Sequence, residues 1–126
     1  MAQTVLVVDD DPVVHRVLQH CLKGAGYQMT TASSGHQAIE LATRELPQLI
    51  IMDVMMPEMS GLEALRRLKT IDATKKIPVI VLTVSARRLT RLESEASGAA
   101  VFLTKPFSKS ELLAVVRRLV SEKAEG

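Results

Sequence analysis

Aromatic residues are nearly missing from this chain: there is no tryptophan, one tyrosine and two phenylalanines in 126 residues. Stacking platforms for single-stranded nucleic acid need several ring faces in a row, so that mode of binding is excluded. Cysteine is scarce too. The lone Cys21 cannot form an internal disulfide and fits a reducing compartment. Nor does one sign of charge dominate. Sixteen Lys and Arg face 14 Asp and Glu, and a net charge of +2 does not mark a nucleic-acid binder. No apolar run approaches the roughly 20 residues of a membrane span, and the start, MAQTVLVVDDD, lacks the basic opening of a secretory signal. The expectation is a soluble cytoplasmic protein, without direct contact to nucleic acid or membrane.

What remains is an ordinary globular mixture, 47% hydrophobic and 24% charged, of a size for one core. Four short apolar runs stand out: VLVV (5–8), LIIM (49–52), VIVL (79–82) and AVFL (100–103). Runs apolar at every position read as strands of a parallel sheet covered on both faces. A fifth run, YQMTTA (27–32), is more polar and is placed at the sheet edge. Helical signals fill the gaps. Asp11-Pro12 reads as a cap followed by a first-turn proline. Val14, Val17, Leu18 and Cys21 then share a face, and Gly24 and Gly26 end the helix. Three capping boxes follow: Ser34 with Gln37, Ser60 with Glu63, and Ser108 with Glu111. Segment 85–97 also reads as helical, with Ser85 or Thr90 as its cap. Five β-α repeats predict an α/β fold, an open, doubly wound five-stranded parallel sheet with helices on both faces.

Such sheets bind ligands beyond the carboxyl ends of their strands. Asp9, Asp10 and Asp11 follow the first strand, Asp53 the third, Thr83 the fourth, and Thr104, Lys105 and Pro106 the fifth. Asp11 is accounted for as a helix cap. The convergence of Asp9, Asp10 and Asp53 is harder to explain structurally. Unit charges about 4 Å apart repel by about 4 kcal/mol at an effective dielectric of 20. Something positive must hold the cluster. Lys105 supplies one charge, and a divalent cation would supply two more. An all-oxygen ligand set selects Mg²⁺ or Mn²⁺ over zinc.

The ordered motifs VLVVDDDP, LIIMDVMMPEMSG, VIVLT and FLTKPF resemble those of the response-regulator receiver domain of two-component signalling. The resemblance runs from about Thr4 to Val120, so residues 1–126 are read as a single receiver domain. It implies a flavodoxin-like strand order, 2-1-3-4-5, which comes from the family and not from the hydrophobic pattern. It further implies that Asp53 accepts a phosphoryl group from a sensor histidine kinase or a histidine phosphotransfer protein. By the same resemblance Asp10 ligates Mg²⁺ directly, Asp9 does so through water, and the Met55 carbonyl is a further ligand. Thr83 and Lys105 bind the phosphoryl oxygens, the Lys105–Pro106 bond is cis, and Phe102 holds the aromatic switch position. The output is altered binding of a downstream protein, with no enzymatic turnover beyond self-dephosphorylation.

The chain departs from the family pattern at Val84, where a small residue is usual, and Phe102 lacks the hydroxyl a tyrosine would bring. Met55 and Ser85 flank the approach of hydrolytic water in the family. Methionine donates no hydrogen bond and cannot orient that water, so slow loss of the phosphoryl group is expected. Haloacid-dehalogenase-type phosphatases use a similar constellation. They need a second acid two residues after the nucleophile, where this chain has Met55. A pure interaction module would not need the full set of Asp9, Asp10, Asp53, Thr83 and Lys105. A receiver cut from a longer regulator with an output domain fits the same residues.

Overall fold

Alternating apolar strands and amphipathic helices build three layers. A computed structural model describes residues 3–53, 61–83 and 98–125. The strands are β1 (Thr4–Val8), β2 (Gln28–Ala32), β3 (Leu49–Asp53), β4 (Val79–Thr83) and β5 (Val101–Thr104). The helices among the described residues are α1 (Pro12–Gly24), α2 (Gly35–Glu45), α3 (Gly61–Thr70) and α4 (Lys109–Glu125). All strand pairs are parallel, in the order β2-β1-β3-β4-β5. This is the open doubly wound arrangement the sequence and its resemblance predict. The expected helix over 85–97 and the Ser60 cap lie outside the described residues.

The period-two alternation of the strands divides the core in two. Leu6, Val8, Ile50, Met52, Val79 and Val81 face one side, against Ala38 and Ala42 of α2 and Ala64, Leu65 and Leu68 of α3. Val5, Val7, Leu49, Ile51, Ile80 and Leu82 face the other, against Leu18, Cys21 and Leu22 of α1 and Leu112, Val116 and Leu119 of α4. Burial on both faces is why β1, β3 and β4 read as unbroken apolar runs. Each such side chain contributes about 1.5–3 kcal/mol on leaving water.

The caps follow the expected chemistry. Asp11 Oδ1 accepts from the Val13 amide at 2.9 Å, and Pro12 opens α1. Ser34 Oγ accepts from the Gln37 amide at 3.2 Å, while Gln37 Oε1 accepts from the Ser33 amide at 2.8 Å, one residue earlier than an ideal capping box. Ser108 Oγ accepts from the Glu111 amide at 3.0 Å.

Three local expectations change. Val17 is not on the buried face of α1 but half exposed, at 50%. At about 100° per residue it lies a quarter-turn from Leu18, and the core stripe instead runs through Leu18, Cys21 and Leu22. Gly24 is the last helical residue and Ala25 the cap; only Gly26, at φ +91°, takes the left-handed conformation that suits glycine. Tyr27 is not yet strand, since its amide donates to the Leu22 carbonyl at 3.0 Å as the chain leaves α1. α2 closes on Leu46, a non-glycine residue at φ +50°.

At the amino ends of β4 and β5, Lys69 of α3 ties down the preceding turn. Its Nζ donates to the carbonyls of Ile77 at 2.7 Å and Lys75 at 3.1 Å. The stem of Lys69 passes so close to Gly98 that a Cβ there would lie 2.7 Å from Lys69 Cγ.

Candidate functional site

The register brings the carboxyl ends of the strands to one rim. Val8 pairs with Met52, Asp53 with Leu82, and Thr83 with Thr104. Asp9 therefore leaves β1 one step beyond the sheet, Asp53 is the last residue of β3, and Lys105 follows β5 directly. Rigid strands, not loops, place these groups.

Asp9 is the most enclosed, with its side chain 1% exposed. Its amide donates to the Ala32 carbonyl at 3.0 Å, and its Oδ1 accepts from the Asp11 amide at 2.9 Å. The cap that starts α1 thus also orients Asp9. Asp53 is nearly buried as well, its side chain 12% exposed. Lys105 Nζ bridges the two, 3.2 Å from Asp53 Oδ2 and 3.4 Å from Asp9 Oδ2. Asp10 is exposed at the mouth.

Carboxylate oxygens of Asp9, Asp10 and Asp53 all lie within 4.8 Å of one another. An octahedral Mg²⁺ with oxygens at about 2.1 Å sets neighbouring ligands about 3 Å apart, so the three acids bracket a space on the scale of one ion together with its waters. The electrostatics point the same way. Burial is the main cause that raises the Asp9 pKa above 3.8, the Asp11 amide opposes it, and the charge of Asp53 adds to it. Burial works to lower the Lys105 pKa, but the attraction of Asp53 and Asp9 outweighs it and leaves the ammonium above 10.5. Three carboxylates thus face one ammonium, and the donors are all oxygen, the set a hard divalent cation takes.

Of the other residues singled out in the sequence, Thr83 ends β4 beside Thr104, with its side chain outside what is described. Met55, Val84 and Ser85 lie outside the described residues. The Lys105–Pro106 bond is cis, as the resemblance implies. Phe102 is half-buried and packs against the cluster that α2 and α3 cover, while its neighbour Leu103 points to the opposite layer.

The sequence reading missed one feature. Beside Lys105, residues Val13, Val14, Val17, Pro106 and Phe107 line a largely apolar cleft of about 220 Å³. Val13 and Val17 are 57% and 50% exposed. The signal was present as a valine pair at i, i+4, a second stripe on α1 beside the one that faces the core.

A family model for the response regulator receiver domain matches residues 5–117. This chain belongs to that family. It is a receiver domain of two-component response regulators. Over 119 residues it is 41% identical to the response regulator PleD of Caulobacter vibrioides, which covers 94% of this chain and 26% of PleD. The chain thus spans about a quarter of that relative. A putative response regulator from Chloroflexus aurantiacus superposes with a TM-score of 0.89 at 32% identity, covering 96% of this chain and 99% of that one. The response regulator TrrA of Thermotoga maritima, solved in complex with Mg(2+)-BeF, superposes with a TM-score of 0.84 at 30% identity, covering 93% of this chain and 98% of its own. Among the described residues, no helix is long and apolar enough to cross a membrane.

Proposed function

We propose that the receiver takes a phosphoryl group on Asp53 from a phosphohistidine of a sensor kinase or phosphotransfer protein. The observation that carries this reading is the Lys105 ammonium held between Asp53 and Asp9, with Asp10 beside them. An ionised carboxylate is a nucleophile that requires no base. A carboxylate oxygen of Asp53 forms the new P–O bond as the P–N bond to the donor imidazole breaks. Phosphoryl transfer demands positioning and neutralisation of charge more than proton chemistry. Lys105 meets the equatorial oxygens as they arrive, joined by the Thr83 hydroxyl.

Asp9, Asp10 and Asp53, with the Met55 carbonyl, are the residues to hold Mg²⁺ or Mn²⁺. When bound, the ion supplies charge neutralisation at the phosphoryl oxygens. The Mg(2+)-BeF in TrrA supports this assignment. Asp10, exposed at the mouth, suits direct ligation. Asp9, held by Asp11 and Lys105, suits contact through water.

A donor protein must rest beside the rim while transfer occurs. The apolar cleft of Val13, Val17, Pro106 and Phe107 offers it a surface to desolvate. Phosphorylation then biases a two-state equilibrium, drawing Thr83 inward and letting Phe102 rotate, and a downstream protein reads the altered surface. Near-complete inversion takes about 5.5 kcal/mol of differential binding. The domain sustains no turnover beyond loss of its own phosphoryl group, and it acts in the cytoplasm.

The test is intact mass after incubation with acetyl phosphate. One phosphoryl adduct is expected with Mg²⁺, and none with EDTA or in Asp53→Asn. An adduct of equal yield in Asp53→Asn overturns the assignment.

A further inference from the structure

We draw no further inference here: the strongest candidate, the apolar cleft that Val13, Val17, Pro106 and Phe107 form between α1 and the chain leaving β5, belongs to the site already described, as the flank on which a phosphoryl donor rests.

Discussion

Lys105 Nζ stands 3.2 Å from Asp53 Oδ2, although 52 positions separate the two in sequence. The contact joins the centre of the sheet to its edge, because β4 lies between β3 and β5. It is also the countercharge that lets Asp53 and Asp9 lie side by side.

Replacing Lys105 by methionine keeps the stem and removes the charge. In EDTA the variant should lose about 1–3 kcal/mol of stability in urea unfolding. This is below the roughly 3–5 kcal/mol of a fully buried pair, because the lysine side chain is 21% exposed. Added Mg²⁺ should restore part of the loss. The raised pKa of Lys105 means its stabilisation is complete below 10.5 and fades only as pH rises through the higher folded value. The deficit should therefore be flat from pH 6 to 9. Acetyl phosphate should still label the variant, but phosphate-dependent binding of a downstream protein should weaken. A variant as stable as wild type in EDTA would show that the acids need no such partner.

Asp9 has the opposite sign. Its folded pKa is raised above 3.8, so the folded state holds its proton more tightly than the unfolded chain does. Ionised Asp9 then costs stability, a cost present above the folded pKa and relieved as pH falls through it. In EDTA at pH 7, Asp9→Asn should raise Tm by roughly 4 °C, corresponding to about 1 kcal/mol for a domain of this size. The gain should shrink as pH is lowered towards 4. Adding Mg²⁺ should favour the wild type, since Asn brings no charge to the ion. Thermal melts with and without Mg²⁺ across pH check both signs, and equal melts at pH 7 in EDTA would contradict the burial argument.

β1 and β3, which carry Asp9 and Asp53, were legible because both their faces are buried. Leu49 to Met52 can be continuously apolar only if layers cover them from both sides, and the one charged residue ending that run then stands out. The polar β2 announced its edge position by the same logic. Val17 misled, because helical periodicity reports apolar stripes without saying what covers them. One stripe of α1 meets Leu112 and Val116 in the core, and the other meets solvent beside Lys105. The Tyr27 boundary was missed because nothing in YQMTTA reveals that the Tyr27 amide is already bonded to Leu22. The contact between Lys69 and Gly98 is tertiary and left no local mark.

That contact is testable by a double-mutant cycle. In Gly98→Ala the added methyl meets Lys69 Cγ at 2.7 Å, and the lysine cannot swing aside while Nζ stays on the Ile77 and Lys75 carbonyls. The substitution should cost about 1–2 kcal/mol in urea unfolding. Lys69→Ala alone should cost about 1.5–3 kcal/mol for its charged hydrogen bonds. The double variant should fall short of the sum by at least about 0.5 kcal/mol, since the clash is gone once the stem is. Strict additivity would mean that Gly98 is required for another reason.

The exposed valines of α1 make the last prediction. Acetyl phosphate is small and reaches Asp53 without touching Val13 or Val17, whereas a protein carrying a phosphohistidine must cover the rim. If its apolar surface rests in the cleft, each half-exposed valine contributes up to about half of the roughly 1.5–3 kcal/mol that complete burial gives. Losing that much lowers kcat/KM by about 4- to 13-fold, and an aspartate that the docked donor must also desolvate takes the loss to about tenfold or more. Val17→Asp should therefore label with acetyl phosphate within twofold of the wild-type rate. With a purified, phosphorylated histidine kinase chosen because it labels the wild type, it should label at least tenfold more slowly. Val13→Asp should behave alike. Both side chains are half exposed, so the fold should tolerate the change, and an unchanged Tm confirms that it does. If both variants keep the wild-type rate from the protein donor, the cleft is not where the donor rests. An equal slowing with acetyl phosphate would place the damage in the acid cluster and refute the docking role equally.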